Sequence, residues 1–203
     1  MIPAPKKKYT VEEYIELLKN SDERFEYFDG EIVSMAAGKI SHGGIAANIV
    51  RSLGNLLMDR PCQVFGGDTA IKTVKAYPFR LPDVSVVCGE LKIEDLSGIE
   101  VLVNPLLIVE VLSKSTEAYD HSEKFIVYQA IESFREYLVV EQHRPHVTRY
   151  VRQPDNQWLR GDFIGLDSSV KLESLGVVLP LSEIYRMIKF PSSEDDAAEA
   201  VES

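Results

Sequence analysis

The chain has 203 residues, enough to bury a hydrophobic core without the disulfides or metal ions that very small domains need. Hydrophobic residues make up 45% of the chain and charged residues 27%, a balance that excludes a disordered, fibrous or collagen-like protein. The formal net charge of −10 argues against a protein that coats nucleic acid with lysine and arginine side chains.

The chain shows no signal for membrane insertion or export. No apolar run reaches the roughly 20 residues that a membrane-spanning helix requires, and residues 1–10 lack the apolar stretch of a signal peptide. We therefore expect a cytoplasmic protein with no membrane partner. Cys62 and Cys88 each stand alone in apolar surroundings without metal-ligand spacing, so we expect two buried free thiols.

Half of the net charge lies at the C-terminal end of the chain. Residues 191–203 include five acidic residues, no basic residue and few side chains that could pack, which is typical of a disordered tail. The body of the chain contains no internal repeat and no low-complexity segment. We therefore predict a flexible N-terminus over residues 1–8, a single domain over 9–190 and a disordered acidic tail over 191–203.

The first elements of the domain carry clear local signals. Thr10 and Glu13 form a capping box in front of an amphipathic helix that should run to about Lys19. Asp29 followed by Gly30 predicts a tight turn between two short strands, because this pair supplies the positive φ angles of a two-residue hairpin loop.

The remaining pattern alternates helices with apolar strands. Helices are predicted over 41–58, 118–131 and 181–188. Strands are predicted over 25–28, 31–35, 62–65, 69–74, 81–87, 106–112, 136–141, 147–151 and 158–164. Because residues 106–112 are apolar almost throughout, this strand should be central and covered on both faces. The fold class predicted is α/β, with a central mixed β-sheet flanked by helices.

Two carboxylates occupy positions where apolar residues are expected. Glu110 lies in the middle of the most apolar strand, and Asp83 opens the apolar run at 84–87. A buried carboxylate must be paired, protonated or bound to a cation, because its hydration is otherwise lost. Together the two residues predict one oxygen-rich site of the kind that holds Mg²⁺. Alternatively, Asp83 caps a turn and Glu110 pairs with a structural lysine or arginine.

Three further polar residues are candidates for the same site. Lys124 lies on the helix after the Glu110 strand, where it could lean over the end of that strand; its pairing with Asp120 at i, i+4 could equally be a surface salt bridge. Glu31 follows the hairpin turn, although strand glutamates usually face solvent. His42 begins the long helix, where a histidine can also serve only in capping or packing.

Several short motifs follow one another in order along the domain: DGEIV at 29–33, then His42, RLPDVSVV at 80–87, PLLIVEVLSKST at 105–116, Asp120 with Lys124 and Tyr128, and EYLVV at 136–140. As an ordered set they resemble the Uma family of endonucleases, within the PD-(D/E)XK superfamily of restriction-endonuclease-like nucleases. The resemblance spans residues 9–188 and implies a restriction-endonuclease-like fold.

The resemblance also implies roles for individual residues. Asp83 and Glu110 correspond to ligands of Mg²⁺, for which Mn²⁺ could substitute, and the Val111 carbonyl corresponds to a third ligand. Leu112 stands where the broader superfamily has the lysine of its Glu-x-Lys element. The Uma family has its lysine on the following helix, which favours Lys124 over the alternative, Lys114. Glu31 and His42 become plausible additional site residues.

The expected function is Mg²⁺-dependent hydrolysis of DNA phosphodiester bonds through a metal-activated water. Cutting both strands with one site per chain would need a homodimer, which we therefore expect. Two alternatives stay open: a catalytically silent nucleic-acid-binding or interaction protein on a nuclease scaffold, and a metal-dependent phosphohydrolase acting on small phosphoesters.

Overall fold

The computed structural model describes residues 7–21, 23, 25–34, 39–73, 78–112 and 124–190. The predicted acidic tail, the loop that contains Lys114, and Asp120 lie outside these residues. Within them, no helix is both long and apolar enough to cross a membrane.

The described residues form four helices and fourteen strands. The helices are α1 (Val11–Lys19), α2 (Ile40–Leu56), α3 (Phe125–Gln129) and α4 (Leu181–Ile184). The strands in the first half of the chain are β1 (Phe25–Phe28), β2 (Glu31–Ser34), β3 (Cys62–Gly66), β4 (Ala70–Lys72), β5 (Phe79–Arg80), β6 (Val84–Cys88), β7 (Ile93–Leu96) and β8 (Ile99–Leu102). Those in the second half are β9 (Leu107–Leu112), β10 (Glu136–Glu141), β11 (His146–Arg152), β12 (Trp158–Ile164), β13 (Ser169–Leu172) and β14 (Val177–Pro180).

A six-stranded mixed sheet organises the fold, in the order β12-β11-β10-β9-β6-β3. The pair β9 and β10 is parallel, and the other neighbours in this sheet are antiparallel. A four-stranded sheet, β5-β4-β8-β7, and the two hairpins β1–β2 and β13–β14 complete the strands. The prediction of a central mixed sheet flanked by helices is therefore confirmed.

The six-stranded sheet separates two apolar clusters. On one face, Ile45, Ile49 and Leu53 of α2 pack on β9 and β6 together with α4 and the β13–β14 hairpin. On the other face, Tyr128 and neighbouring aromatic residues pack on β9 and β10. β9 is buried at every position, as predicted for a strand covered on both sides. Each large aliphatic side chain so buried contributes about 1.5–3 kcal/mol, so packing on both faces stabilises β9 in the centre of the fold.

The local signals at the N-terminus are confirmed. The Thr10 side chain accepts a hydrogen bond from the Glu13 N–H, and the Glu13 carboxylate accepts one from the Thr10 N–H. Asp29 and Gly30 both have positive φ, 42° and 87°, and join β1 to β2. The long helix predicted over 41–58 is observed as α2.

The last helix is shorter than predicted, because α4 ends at Ile184 and not at residue 188. Met187 has a positive φ of 62°, which an α-helix does not tolerate. In addition, the buried Tyr185 hydroxyl lies 2.8 Å from the carbonyl oxygens of Glu141 and His146, either of which can accept its one proton, and it accepts from the His146 N–H. These contacts anchor the chain where the helix stops.

The prediction of two free thiols is wrong, because Cys62 and Cys88 form a disulfide. The antiparallel register of β3 and β6 places these two residues directly opposite each other. Residues so paired project their side chains on the same face of the sheet, within reach of a covalent bond. Each cysteine looks isolated in the sequence because the bond depends on a register that spans 26 residues of chain.

Candidate active site

The two anomalous carboxylates lie on neighbouring strands at one end of the central sheet. β6 and β9 are antiparallel with Val84 opposite Val109, so Asp83 and Glu110 occupy the next pair of positions along the ladder. Alternation along β9 places Glu110 on the α3 side of the sheet, with Ile108 and Leu112. The Glu110 side chain is only 4% exposed, whereas that of Asp83 is 20% exposed. The pair therefore has one buried member and one member that solvent reaches.

Asp83 is held by a backbone group and by His42. The Val111 N–H donates to Asp83 Oδ2 at 2.7 Å, and His42 Nε2 lies 3.3 Å from the same oxygen. Because α2 begins at Ile40, His42 lies in its first turn and reaches the sheet edge. The hydrogen bond to Asp83 is the main reason why the pKa of His42 is raised, and a hydrogen bond to the Val111 backbone adds to it.

Two side chains of α3 contact the Glu110 carboxylate: Lys124, which precedes the first residue of the helix, and Tyr128, which lies within it. The Tyr128 hydroxyl donates to Glu110 Oε1 at 2.9 Å, and Lys124 Nζ lies 3.4 Å from Glu110 Oε2. Burial, and next the nearby Glu110 charge, raise the pKa of Tyr128 well above its ordinary value. Tyr128 therefore stays protonated at neutral pH and remains a donor to the carboxylate. The structure thus brings Lys124 to Glu110, as the sequence predicted.

Two residues that the sequence did not single out complete the charge cluster. Glu26 on β1 has one carboxylate oxygen 3.8 Å from Lys124 Nζ and the other 3.8 Å from an Arg80 guanidinium nitrogen. Arg80 is buried and also donates to the Tyr27 carbonyl at 3.3 Å. Lys124 therefore lies between two carboxylates, Glu110 and Glu26, and Arg80 balances part of their charge.

Glu31 lies farther along the same hairpin. It is opposite Phe28 beside the turn, and strand alternation puts it on the hairpin face that carries Glu26. Its charge acts on Lys8, which forms a 2.8 Å ion pair with Asp29. On this hairpin Glu26 lies 3.8 Å from Lys124 Nζ, and a role for Glu31 at the site stays a prediction.

The donor atoms at this site fit a hard divalent cation. Within the described ranges, no three His, Cys, Asp or Glu side chains converge closely enough to hold a metal ion by themselves. Mg²⁺ does not need such a cage, because it keeps several waters and is commonly held by one or two carboxylates with substrate phosphates. Asp83, Glu110 and the Val111 carbonyl could supply the protein oxygens, with Asp83 open to solvent.

Comparison with known proteins gives a family, two curated relatives and a related structure. The model of a family named Uma2 and described as "Putative restriction endonuclease" matches residues 11–182. The protein slr1290 of Synechocystis sp., described as uncharacterized, is 33% identical over 187 residues, which cover 92% of this chain and 96% of that protein. A second uncharacterized protein of Synechocystis sp., sll1609, is 30% identical over 177 residues, covering 87% and 99%.

The related structure bears on the fold. It is the crystal structure of "a putative nuclease belonging to DUF820" from Anabaena variabilis, with a TM-score of 0.68 and 17% sequence identity. The match covers 89% of this chain and 99% of that one. The chain therefore has the restriction-endonuclease-like fold that the sequence predicted.

Proposed function

The chain belongs to the Uma2 family, and from this premise we propose that it is an endonuclease that hydrolyses DNA phosphodiester bonds with Mg²⁺, or with Mn²⁺ in its place. The proposal depends mainly on one observation: Asp83 and Glu110 lie next to each other on neighbouring strands, and Lys124 Nζ lies 3.4 Å from Glu110. A buried glutamate at the centre of a fully apolar strand costs stability, so its presence there favours a functional role.

Asp83 and Glu110 would hold the cation at the solvent-accessible end of the ladder. When bound, Mg²⁺ would supply a water of lowered pKa and a counter-charge for the phosphate oxygens. The protein holds both carboxylates in place beforehand, because the Val111 N–H fixes Asp83 and the Tyr128 hydroxyl fixes Glu110. A site organised in advance needs little rearrangement as charge develops in the reaction.

Lys124 would stabilise the negative charge that grows on the phosphate as the bond breaks. Its side chain is only 10% exposed, so its charge is weakly screened by water. Glu110 and Glu26 hold the ammonium group between them, and Arg80 fixes Glu26 in turn. Removal of a preorganised donor of this kind typically lowers kcat by about 10²–10³-fold.

The proposal is consistent with the acidic composition of the chain. The site has three carboxylates, Asp83, Glu110 and Glu26, and two permanent cations, Lys124 and Arg80, so without a divalent cation its excess negative charge repels phosphate. DNA binding should therefore be weak without metal and should strengthen when Mg²⁺ is added. The protein would engage phosphates locally, through the metal, and not through a broad basic surface.

A plasmid cleavage assay tests the proposal. Supercoiled DNA is incubated with the purified protein in Mg²⁺, in Mn²⁺ and in EDTA, and beside it with Asp83→Asn, Glu110→Gln and two matched controls at exposed positions, Asp59→Asn and Glu16→Gln. We expect metal-dependent nicking or cutting by the wild type and both controls, and at least about 10²-fold slower cleavage by the two site variants.

Two results would contradict the proposal. Cleavage that survives in Asp83→Asn and Glu110→Gln would come from another site or from a contaminant. Metal-dependent binding of DNA by a folded wild-type protein that never cuts would instead support a silent nucleic-acid-binding protein on this scaffold.

A further inference from the structure

β12 forms one edge of the six-stranded sheet. β12 is the last strand of the six-stranded sheet and pairs with β11 on its inner side. Among the described residues no strand pairs with its other side. An exposed strand edge is a template for pairing with another chain, and it usually carries charges or proline that prevent this. β12 has no proline, and the two charges in its sequence WLRGDFI, Arg160 and Asp162, are of opposite sign.

The hydrogen bonds to β11 show which backbone groups face outward. The Gln153 N–H donates to the Gln157 carbonyl before β12, and the Gly165 N–H donates to the Pro145 carbonyl after it. In an antiparallel ladder, hydrogen-bonded and non-hydrogen-bonded pairs alternate. Residues 159, 161 and 163 therefore bond to β11, whereas residues 158, 160, 162 and 164 direct their N–H and C=O groups outward. Ser168 Oγ donates a hydrogen bond to one of these outward groups, the Ile164 carbonyl oxygen.

The sequence of β12 is complementary to itself when it is reversed about Gly161. Within one chain Arg160 already lies 3.0 Å from Asp162. In the antiparallel arrangement each Arg160 would also face Asp162 of the partner subunit, so that the four charges alternate in sign around the centre. The ends pair apolar residues, Trp158 with Ile164 of the partner subunit and Leu159 with Phe163 of the partner subunit. Opposite-charge and aromatic–aliphatic pairs of this kind stabilise antiparallel strands.

Two observations on β12 fit such a pairing. Leu159 and Ile164 are 56% and 67% exposed, although they are large apolar residues on a regular strand, and each would gain an aromatic neighbour. Gly161 would lie at the central, non-hydrogen-bonded pair, where the two backbones come closest, and a glycine within a strand often marks a close approach of another backbone.

We propose that two copies of this chain pair antiparallel along β12, with Gly161 at the two-fold axis and Arg160 opposite Asp162 of the partner subunit. The two six-stranded sheets would then join into one continuous sheet through an isologous interface. A parallel pairing in register would instead bring Arg160 against Arg160 of the partner subunit, so the charges favour the antiparallel arrangement.

The pairing leaves the candidate active site free. β9 is separated from β12 by β10 and β11, so the two Glu110 positions would lie about 34 Å apart, seven strand spacings of about 4.8 Å. Loss of the dimer should therefore leave each site intact. Because one pair of strands buries less than a standard interface of about 1,200–2,000 Å², we expect a weak dimer that dissociates on dilution.

Sedimentation equilibrium over a range of protein concentrations tests the interface. The wild type should dimerise, and Arg160→Asp and Asp162→Arg should each weaken the dimer by about tenfold or more, since each places like charges opposite each other. An equimolar mixture of the two variants should dimerise again, because each subunit then faces the opposite charge. The melting temperature of each variant shows whether it is folded.

Cysteine crosslinking provides an independent test that does not alter a charge. Gly161→Cys should form a covalent dimer on mild oxidation, because the two sulfur atoms would meet at the two-fold axis, whereas the control Gly54→Cys, at an exposed position on α2, should not. The proposal is overturned by a wild type that stays monomeric at high concentration, by variants that dimerise like the wild type, by a mixture that stays monomeric, or by crosslinking no faster than in the control.

Discussion

The replacement of Lys124 by methionine should destabilise the protein even without DNA or metal. Lys124→Met keeps the length of the side chain and removes its charge, which lies 3.4 Å from Glu110 and 3.8 Å from Glu26. Both carboxylates then lack their shared cation in a largely buried setting. Removal of one partner of a buried ion pair typically costs about 3–5 kcal/mol, which for a domain of this size lowers the melting temperature by roughly 6–20 °C.

Urea denaturation at pH 7 measures this loss, with Lys92→Met at an exposed position as the matched control. The control should change the free energy of unfolding by no more than about 0.5 kcal/mol. Adding Glu26→Gln to Lys124→Met should recover part of the stability, because the repulsion between the Glu26 and Glu110 carboxylates, which no longer share a cation, is removed. A loss no larger than that of the control, or no recovery in the double variant, would refute the description of Lys124 as the cation shared by Glu110 and Glu26.

Three further predictions concern other buried groups. Tyr128→Phe removes the donor to buried Glu110 and should cost about 1.5–3 kcal/mol in urea denaturation. Burial raises the pKa of Glu136 above its value in the unfolded chain. The free energy of unfolding should therefore fall as the pH rises from the unfolded pKa through the folded pKa. In denaturation from pH 4 to 8, Glu136→Gln should show a weaker dependence of stability on pH. Reduction of the Cys62–Cys88 disulfide should cost about 3–4 kcal/mol, seen as a lower melting temperature in dithiothreitol.

Each of these predictions can fail clearly. A Phe variant as stable as the wild type would mean that the Tyr128 hydroxyl does not compensate the buried carboxylate. Parallel pH profiles for the wild type and the Gln variant would exclude Glu136 as the titrating group. An unchanged melting temperature in dithiothreitol, with thiol labelling confirming reduction, would show that the disulfide does not limit the unfolded chain.

Two of the candidate site residues could be singled out from the sequence because they violate local expectation. Glu110 interrupts the most apolar strand of the chain, and a charge in such a place demands a partner. Asp83 was assigned to the same site as Glu110 only because their strands were expected to be neighbours. The antiparallel pairing of β6 with β9 confirms that they are. Lys124 was favoured because the Uma family has its lysine on the following helix, and the structure places its ammonium group 3.4 Å from Glu110.

Glu26 was missed for a physical reason. It lies on a four-residue hairpin strand with mixed burial, where a glutamate is expected to face solvent. Its role depends on how the hairpin packs against Arg80 and Lys124, two residues distant in sequence. Local periodicity contains no information about such contacts.

The weaker strands were missed because their patterns are short. β7 is exposed at nearly every position and forms a hairpin with β8, and the only strong local signal is the turn at Ser97 and Gly98, where φ is 53° and 91°. The β13 strand alternates exposed and buried residues over only four positions. The disulfide depends on the β3–β6 register, which no local pattern encodes.

The claim that Asp83 and Glu110 form one divalent-cation site is tested most directly by calorimetric titration of Mn²⁺ into the metal-free protein. We predict one binding event per chain in the wild type and in Asp59→Asn, and no measurable binding in Asp83→Asn or Glu110→Gln when both variants remain folded. Equal binding by the wild type and the two site variants, or no binding by the folded wild type, would contradict the account.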